Sequence, residues 1–133
     1  MSITHTTAVR TTIADAVVGS AGALGSSAKL VIYSGTPPAN AQASLVGNTA
    51  IATITGISFG AASSGVSTIT ASTTDSNAVG GTAAFFRLTT SGNTVVLQGL
   101  CATSGSDLNL NSLTIPAGST VSLTGTNTYT APA

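Results

Sequence analysis

From Lys29 onward the chain is a succession of short apolar runs, each closed by Gly, Pro, Asn or Asp. The runs are Lys29 to Ser34, Thr49 to Ile54, Val66 to Ala71, Ala83 to Thr89, Thr94 to Ala102, Leu108 to Ile115 with a break, and Ser119 to Tyr129. Between them lie SGTPPANAQ, GISFGAASSG, TTDSNAVGG, TSGN, TSGSD and IPAG. Runs of this length, bounded by turn formers and free of helical periodicity, are strands. Parallel βαβ units need helices between strands, and no helical pattern recurs after residue 20. The expected fold is therefore mainly β: an antiparallel, jelly-roll-like β-sandwich with one short N-terminal helix.

That helix is expected over TTIADAVV, residues 11–18. Ile13 and Val17 are four apart, Ala14 and Val18 likewise, Thr12 and Asp15 have capping-box spacing, and Gly19 follows as a stop. Its apolar stripe is two turns long, so it must lie against a sheet to persist. At 133 residues the chain suits one domain. The expected division is an N-terminal arm over residues 1–10 and a single sandwich domain over 11–133.

Alternation assigns faces. In KLVIY, Leu30 and Ile32 point one way and Val31 and Tyr33 the other. In AAFFRLT, Ala84, Phe86 and Leu88 oppose Ala83, Phe85, Arg87 and Thr89, so both faces of that strand are expected to be covered. RLTTSGNTVVL reads as a hairpin whose register is set by Gly92 at positive φ. Pro37 and Pro38 lack backbone N–H groups, so they end the first strand and blunt an edge. They form either a rigid inter-strand loop or part of a docking surface.

Charge is nearly absent. Three Lys or Arg balance three Asp, and charged residues make up 5% of the chain, against about 25% in ordinary soluble domains. Arg10, Lys29 and Arg87 are too few and too scattered to neutralise a phosphate backbone, so nucleic acid is not an expected partner. Mean hydropathy is +0.47, which argues for a folded chain. A neutral surface supplies little repulsion between copies and so favours association. No run approaches the roughly 20 apolar residues of a membrane span, and MSITHTTAVR lacks the basic-then-apolar order of a secretory signal. Synthesis in the cytoplasm, with no membrane partner, is the expectation.

The residues that carry chemistry are dispersed. His5, Cys101, Asp15, Asp75 and Asp107 are far apart in sequence, so no metal or cofactor is expected. Ser26 and Lys29 have the spacing of a serine–lysine nucleophile pair, but that chemistry places the serine at a helix start and here the lysine opens a strand. Glu is absent, and Asp15, Asp75 and Asp107 read as a cap and turn residues; no carboxylate pair for sugar hydrolysis emerges. Without Trp, a sugar-stacking platform would rest on Tyr33 and Tyr129 alone. Cys101 reads as a small buried hydrophobe. The chain is expected to have no catalytic residue and not to be an enzyme. A secreted carbohydrate-active protein is the reading these absences disfavour most.

Arg87 stands between Phe86 and Leu88 in the most apolar strand. A buried guanidinium needs partners, and Asp75 or Asp107 is the expected structural ion-pair mate, with an exposed, snorkelling arginine as the alternative. The Thr-rich segment Ile3 to Val9, including His5, has no evident intramolecular task and is a candidate interface together with Pro37 and Pro38.

Three stretches in order, KLVIYSGTPPA, GTAAFFRLTTSGNTVVLQG and GSDLNLNSLTIPAGSTVSLT, following a short helix, resemble a family of small structural proteins of tailed-bacteriophage virions. The resemblance spans about Thr11 to Thr124. Relatives often carry Trp where Phe85 stands, a departure that bears on packing more than on role. The resemblance implies a β-sandwich head decoration, or cement, protein on the outer surface of the capsid. Its partners would be the major capsid protein and further copies of itself, as trimers or dimers. A tail, neck or fibre component is the alternative.

Overall fold

The computed structural model describes residues 3–133. It is mainly β with one short helix and a curled mixed sheet that forms a half-barrel. Helix α1 (Thr7–Val18) is followed by β1 (Ala28–Tyr33), β2 (Ala50–Phe59), β3 (Val66–Ala71), β4 (Gly81–Thr82), β5 (Phe85–Thr89), β6 (Val95–Ala102), β7 (Leu108–Asn109), β8 (Thr114–Ile115) and β9 (Thr128–Thr130). Seven strands form one sheet in the order β7-β6-β5-β1-β2-β3-β9, and β4 pairs with β8 in a separate ribbon. All pairings are antiparallel except β6 with β7.

The curl has a local cause in β2. This strand runs through the GIS stretch expected to be a loop, and Gly56 within it takes φ 62°. The register against β1 slips between Leu30↔Ile54 and Ala28↔Ile57, so a bulge sits at Thr55 and Gly56. A bulge with a left-handed glycine bends its strand and sharpens its twist. Before the bend β2 pairs chiefly with β1; beyond it, Ser58 and Phe59 pair with β3. The corner rotates β3 and β9 out of the plane of β1, β5 and β6.

Inside the curl lies a continuous apolar core. Leu30 pairs with Leu88 and Ile32 with Phe86 across β1 and β5, and all four are buried on the inner face with Ala52, Ile54, Ile57 and Phe59 of β2. These are the faces that alternation assigns. At Phe86 the cross-strand partner is Gly99, whose added Cβ would lie 2.6 Å from the phenyl ring. The aromatic ring covers the glycine, and the glycine makes room for the ring.

The helix begins one turn earlier than expected. Thr6 is its N-cap, accepting from the Val9 N–H at 3.4 Å, so Thr12 and Asp15 are not a capping box. Thr12 instead donates to the Ala8 carbonyl within the helix. Asp15 Oδ1 accepts from Ala62 N at 2.8 Å, and Thr11 Oγ1, one turn before it, accepts from Gly65 N at 3.0 Å. The helix is thus latched by two polar side chains to the loop before β3, with Ala14 and Val18 buried beneath. Gly19 does end it: its N–H reaches the Asp15 carbonyl, and a side chain there would collide with that oxygen. Asp15→Ala leaves the half-buried Ala62 N–H without its acceptor and should cost about 1–2 kcal/mol, read as a lowered midpoint in urea at unchanged slope.

Two further boundaries differ. Ser119 to Tyr129 yields only β9, because Gly125 takes positive φ inside the run and breaks it. Val121 still forms a single antiparallel bridge with Asp75, and Val121 and Leu123 pack inward while Ser122 and Thr124 face solvent. In the β5–β6 hairpin the left-handed residue is Asn93, at φ 71°, and not Gly92. Asn tolerates that region by bonding locally, and its Oδ1 also accepts from Lys29 Nζ at 2.9 Å.

Candidate functional site

Every residue of β5 is buried, including the face that looks away from the core. Over Arg87 on that face the loop of residues 34–48, SGTPPANAQASLVGN, reaches back to the sheet. Arg87 holds it there. The guanidinium, 4% exposed, donates from Nη2 to the Ala43 carbonyl at 2.7 Å and to the Asn40 carbonyl at 3.5 Å, and from Nε to Gln98 Oε1 at 2.9 Å. Gln98 in turn donates from Nε2 to the Pro38 carbonyl at 3.0 Å. Arg87 and Gln98 face each other across β5 and β6, so the sheet register sets the spacing of the clasp.

The expected ion pair is therefore not formed. Asp75 is committed to backbone donors, accepting from Thr53 N at 2.8 Å and Asn77 N at 3.0 Å. Asp107 Oδ2 accepts from Leu100 N at 3.0 Å at the edge of β6. Both carboxylates answer backbone N–H groups, and the guanidinium is satisfied by neutral oxygens of the loop and of Gln98. A carbonyl offers an acceptor without an ion's desolvation penalty, which makes this arrangement tolerable in a buried setting. On the same outer face, Phe85 stacks on Tyr33 with centroids 5.1 Å apart and planes at 15°, next to the clasp.

Within the loop, polar side chains replace secondary structure. Asn40 Oδ1 accepts from Gln42 N and Ala43 N. Asn48 Nδ2 donates to the Ser34 and Thr36 carbonyls, and its Oδ1 accepts from Val46 N. Pro37 and Pro38 are half-buried under this network. The loop is thus stiff, and its tip is apolar: Leu45 is 38% exposed and Val46 85%. The Leu-Val pair within a polar loop is visible in the sequence; that Arg87 and Gln98 clasp the loop is not, because those partners are main-chain carbonyls.

The other candidate interface residues divide. Ile3 and Val9 are exposed, but Val9 belongs to α1, and the arm preceding the helix shrinks to Ile3–Thr6 among the described residues. His5 Nδ1 lies 3.2 Å from the Ala133 oxygen, which ties this segment to the C-terminal residues. The arm and the proline loop belong to separate parts of the fold, one beside β9 and the other across β5.

On the inner side, the two ends of the curled sheet line a common cavity of about 700 Å³. Its wall includes Phe59, Phe86, Leu88 and Leu97, with Leu108 from one end of the sheet and Tyr129 from the other. Asp107 is the one charged side chain lining it. A second cavity, of about 320 Å³, lies against the segment from Leu108 to Asn127. Among the described residues no group of three His, Cys, Asp or Glu side chains is placed to hold a metal ion, and no helix is long and apolar enough to cross a membrane.

Cys101 is buried in the core at the end of β6, as its surroundings in sequence suggest. Burial, helped by the nearby Asp107 carboxylate, pushes its thiol up to about 11 from the usual 9.0. The folded state therefore keeps the proton longer than the unfolded chain. The stability this contributes is whole below pH 9 and is lost as pH rises toward 11. Cys101→Ser should abolish that alkaline loss, and the native thiol should resist alkylation at pH 8 until the chain is unfolded. Alkylation of the native protein at the rate of the unfolded chain would contradict this.

No protein-family model, curated protein or solved structure matches the chain.

Proposed function

We propose that this chain is a bacteriophage head decoration, or cement, protein that binds the major capsid protein on the outer surface of the shell. In this reading the half-barrel is a variant of the jelly-roll-like sandwich, and copies associate with one another on the particle. The observation that carries the proposal is the stiff, uncharged loop 34–48, which presents Leu45 and Val46 to solvent from a base clamped by a buried arginine. Large apolar side chains held rigidly in solvent mark a contact surface. The near-neutral composition agrees, since a repeated subunit must pack beside its own copies without repulsion. Weak contacts multiplied over a symmetric shell give firm attachment, so no single contact need be extensive.

The test is decoration in vitro. Heads lacking this protein are incubated with the purified chain, and bound copies are counted by quantitative mass spectrometry and located by cryo-EM. Saturable binding on the shell is expected. Val46→Asp should weaken it, whereas removal of residues 2–5, which leaves the Thr6 cap and α1 whole, measures what the arm adds. Binding confined to the tail or neck would replace this reading with its alternative; no binding to any particle would end it.

A further inference from the structure

The recess inside the curl joins two kinds of wall. Phe59, Phe86, Leu88 and Leu97 make one side apolar, and the segment leading into β9 brings Thr126 and Thr128 to the other. Asp107 is the one charge between them. Its carboxylate is held by a single oxygen: Oδ2 accepts from Leu100 N at 3.0 Å, and Oδ1 has no hydrogen-bond partner among the described residues. The three Lys and Arg side chains of the chain are engaged elsewhere. Arg87 donates to the loop carbonyls, Lys29 Nζ to Asn93 Oδ1 at 2.9 Å, and Arg10 Nη2 to the Ala131 carbonyl at 3.4 Å. We infer that this recess binds a small organic amine, with the ammonium on Asp107 and the apolar body along Phe86, Leu88 and Leu97.

Each part of the ligand answers a part of the wall. A carboxylate takes an ammonium through charge-assisted hydrogen bonds, about twice as strong as neutral ones. Phe86 lies beside that carboxylate: a side-chain carbon at Gly99 would fall 2.6 Å from the phenyl ring and 3.0 Å from Asp107 Cβ, so the glycine lets ring and carboxylate border one space. A cation there meets an aromatic ring as well as an anion. The hydroxyls of Thr126 and Thr128 offer bonds to polar substituents at the far end of the ligand. The volume, about 700 Å³, is in the range of small-molecule sites and exceeds what one lysine side chain fills, which favours a free ligand over a side chain supplied by another protein. The turn that carries Asp107 is also ordered in advance. Ser106 Oγ donates to the Leu100 carbonyl at 2.9 Å and Ser106 N to Asn109 Oδ1 at 3.0 Å, so binding need not fix the carboxylate in place.

Binding is measured on the isolated chain, so its outcome is separate from attachment to a capsid. Phenethylamine and phenethyl alcohol share one body and differ in the ammonium. Titrated at neutral pH by calorimetry, the amine should bind roughly tenfold or more tightly than the alcohol. In amide NMR spectra the shifts should centre on Leu97, Gly99, Asp107 and Tyr129. Asp107→Asn keeps an oxygen for the Leu100 N–H, so its thermal melt should match the wild type while the preference for the amine disappears. Asp15→Asn changes a carboxylate outside the recess and should retain that preference. Nα-acetyl-lysine methylamide presents the same ammonium on a protein-like side chain and should bind more weakly than phenethylamine. Equal affinity for amine and alcohol, shifts centred elsewhere, an Asp107→Asn variant that keeps the preference, or tighter binding of the lysine derivative overturns the inference.

Discussion

Arg87→Met should destabilise the protein by about 3 kcal/mol and free the loop of residues 34–48 from the sheet. Methionine fills much of the arginine's volume and so limits the loss to the hydrogen bonds. What is lost is one charged donor group serving the Ala43 and Asn40 carbonyls and the Gln98 amide oxygen. The Ala43 carbonyl and the Gln98 amide oxygen would be left short of partners, while the Asn40 carbonyl keeps the Ala43 N–H. Hydrogen–deuterium exchange should show the effect locally, with residues 34–48 opening well before the β1–β5 ladder. Arg87→Lys should fall close to the methionine variant: an ammonium on a flexible stem cannot serve Gln98 and two loop carbonyls in one plane as the guanidinium fork does. Unchanged exchange in the loop of Arg87→Met would show that the loop is held by something other than the clasp.

Gly99→Val should cost a similar amount, about 3 kcal/mol, by the opposite mechanism of overfilling. The first added carbon already falls 2.6 Å from the Phe86 ring and 3.0 Å from Asp107 Cβ. The ring is 8% exposed and also borders the inner cavity, so relief of the clash must come from its turning into that space at the expense of its contacts with the core. Coupling identifies the cause: combined with Phe86→Leu, the glycine substitution should lose much of its penalty, giving an interaction energy of roughly 1–2 kcal/mol in a double-mutant cycle. Strict additivity would mean that Gly99 matters for the backbone of β6 and not for the ring.

Periodicity and turn chemistry reveal the elements of this fold better than their arrangement. β1, β3, β5 and β6 follow from alternation because their side chains report which face is covered. Helix α1 follows from Ile13, Ala14, Val17 and Val18, although its first turn, TAVR, has no stripe and is fixed by the Thr6 cap. What the residue pattern does not disclose is the bend. Gly56 interrupts β2 where a turn would be expected, and only the pairing of Ser58 and Phe59 with β3 distinguishes a bulge from a loop. The same limit governs Arg87. Its burial could be inferred from Phe86 and Leu88, but two of its three partners are backbone oxygens 44 to 47 residues away, which carry no side-chain identity to search for, and the third, Gln98 Oε1, is uncharged. Asp75 and Asp107 are the visible candidates because they are charged, and each accepts instead from backbone N–H groups.

The cavity also follows from the bend. Leu97 and Tyr129 are ordinary half-buried strand residues when each strand is considered alone. They come to line one space because the corner at Gly56 brings β9 round toward β6. Val46 is the converse case: an apolar residue at a loop tip is unremarkable in sequence, and it becomes informative once the clasp beneath it is known.

The proposal that this chain packs among neighbours on a shell is tested by counting its copies in purified virions. Quantitative mass spectrometry against the major capsid protein should give on the order of hundreds of copies per particle, as symmetric occupation of a head requires. A count of about a dozen or fewer, or a chain that stays free of the particle, would contradict it.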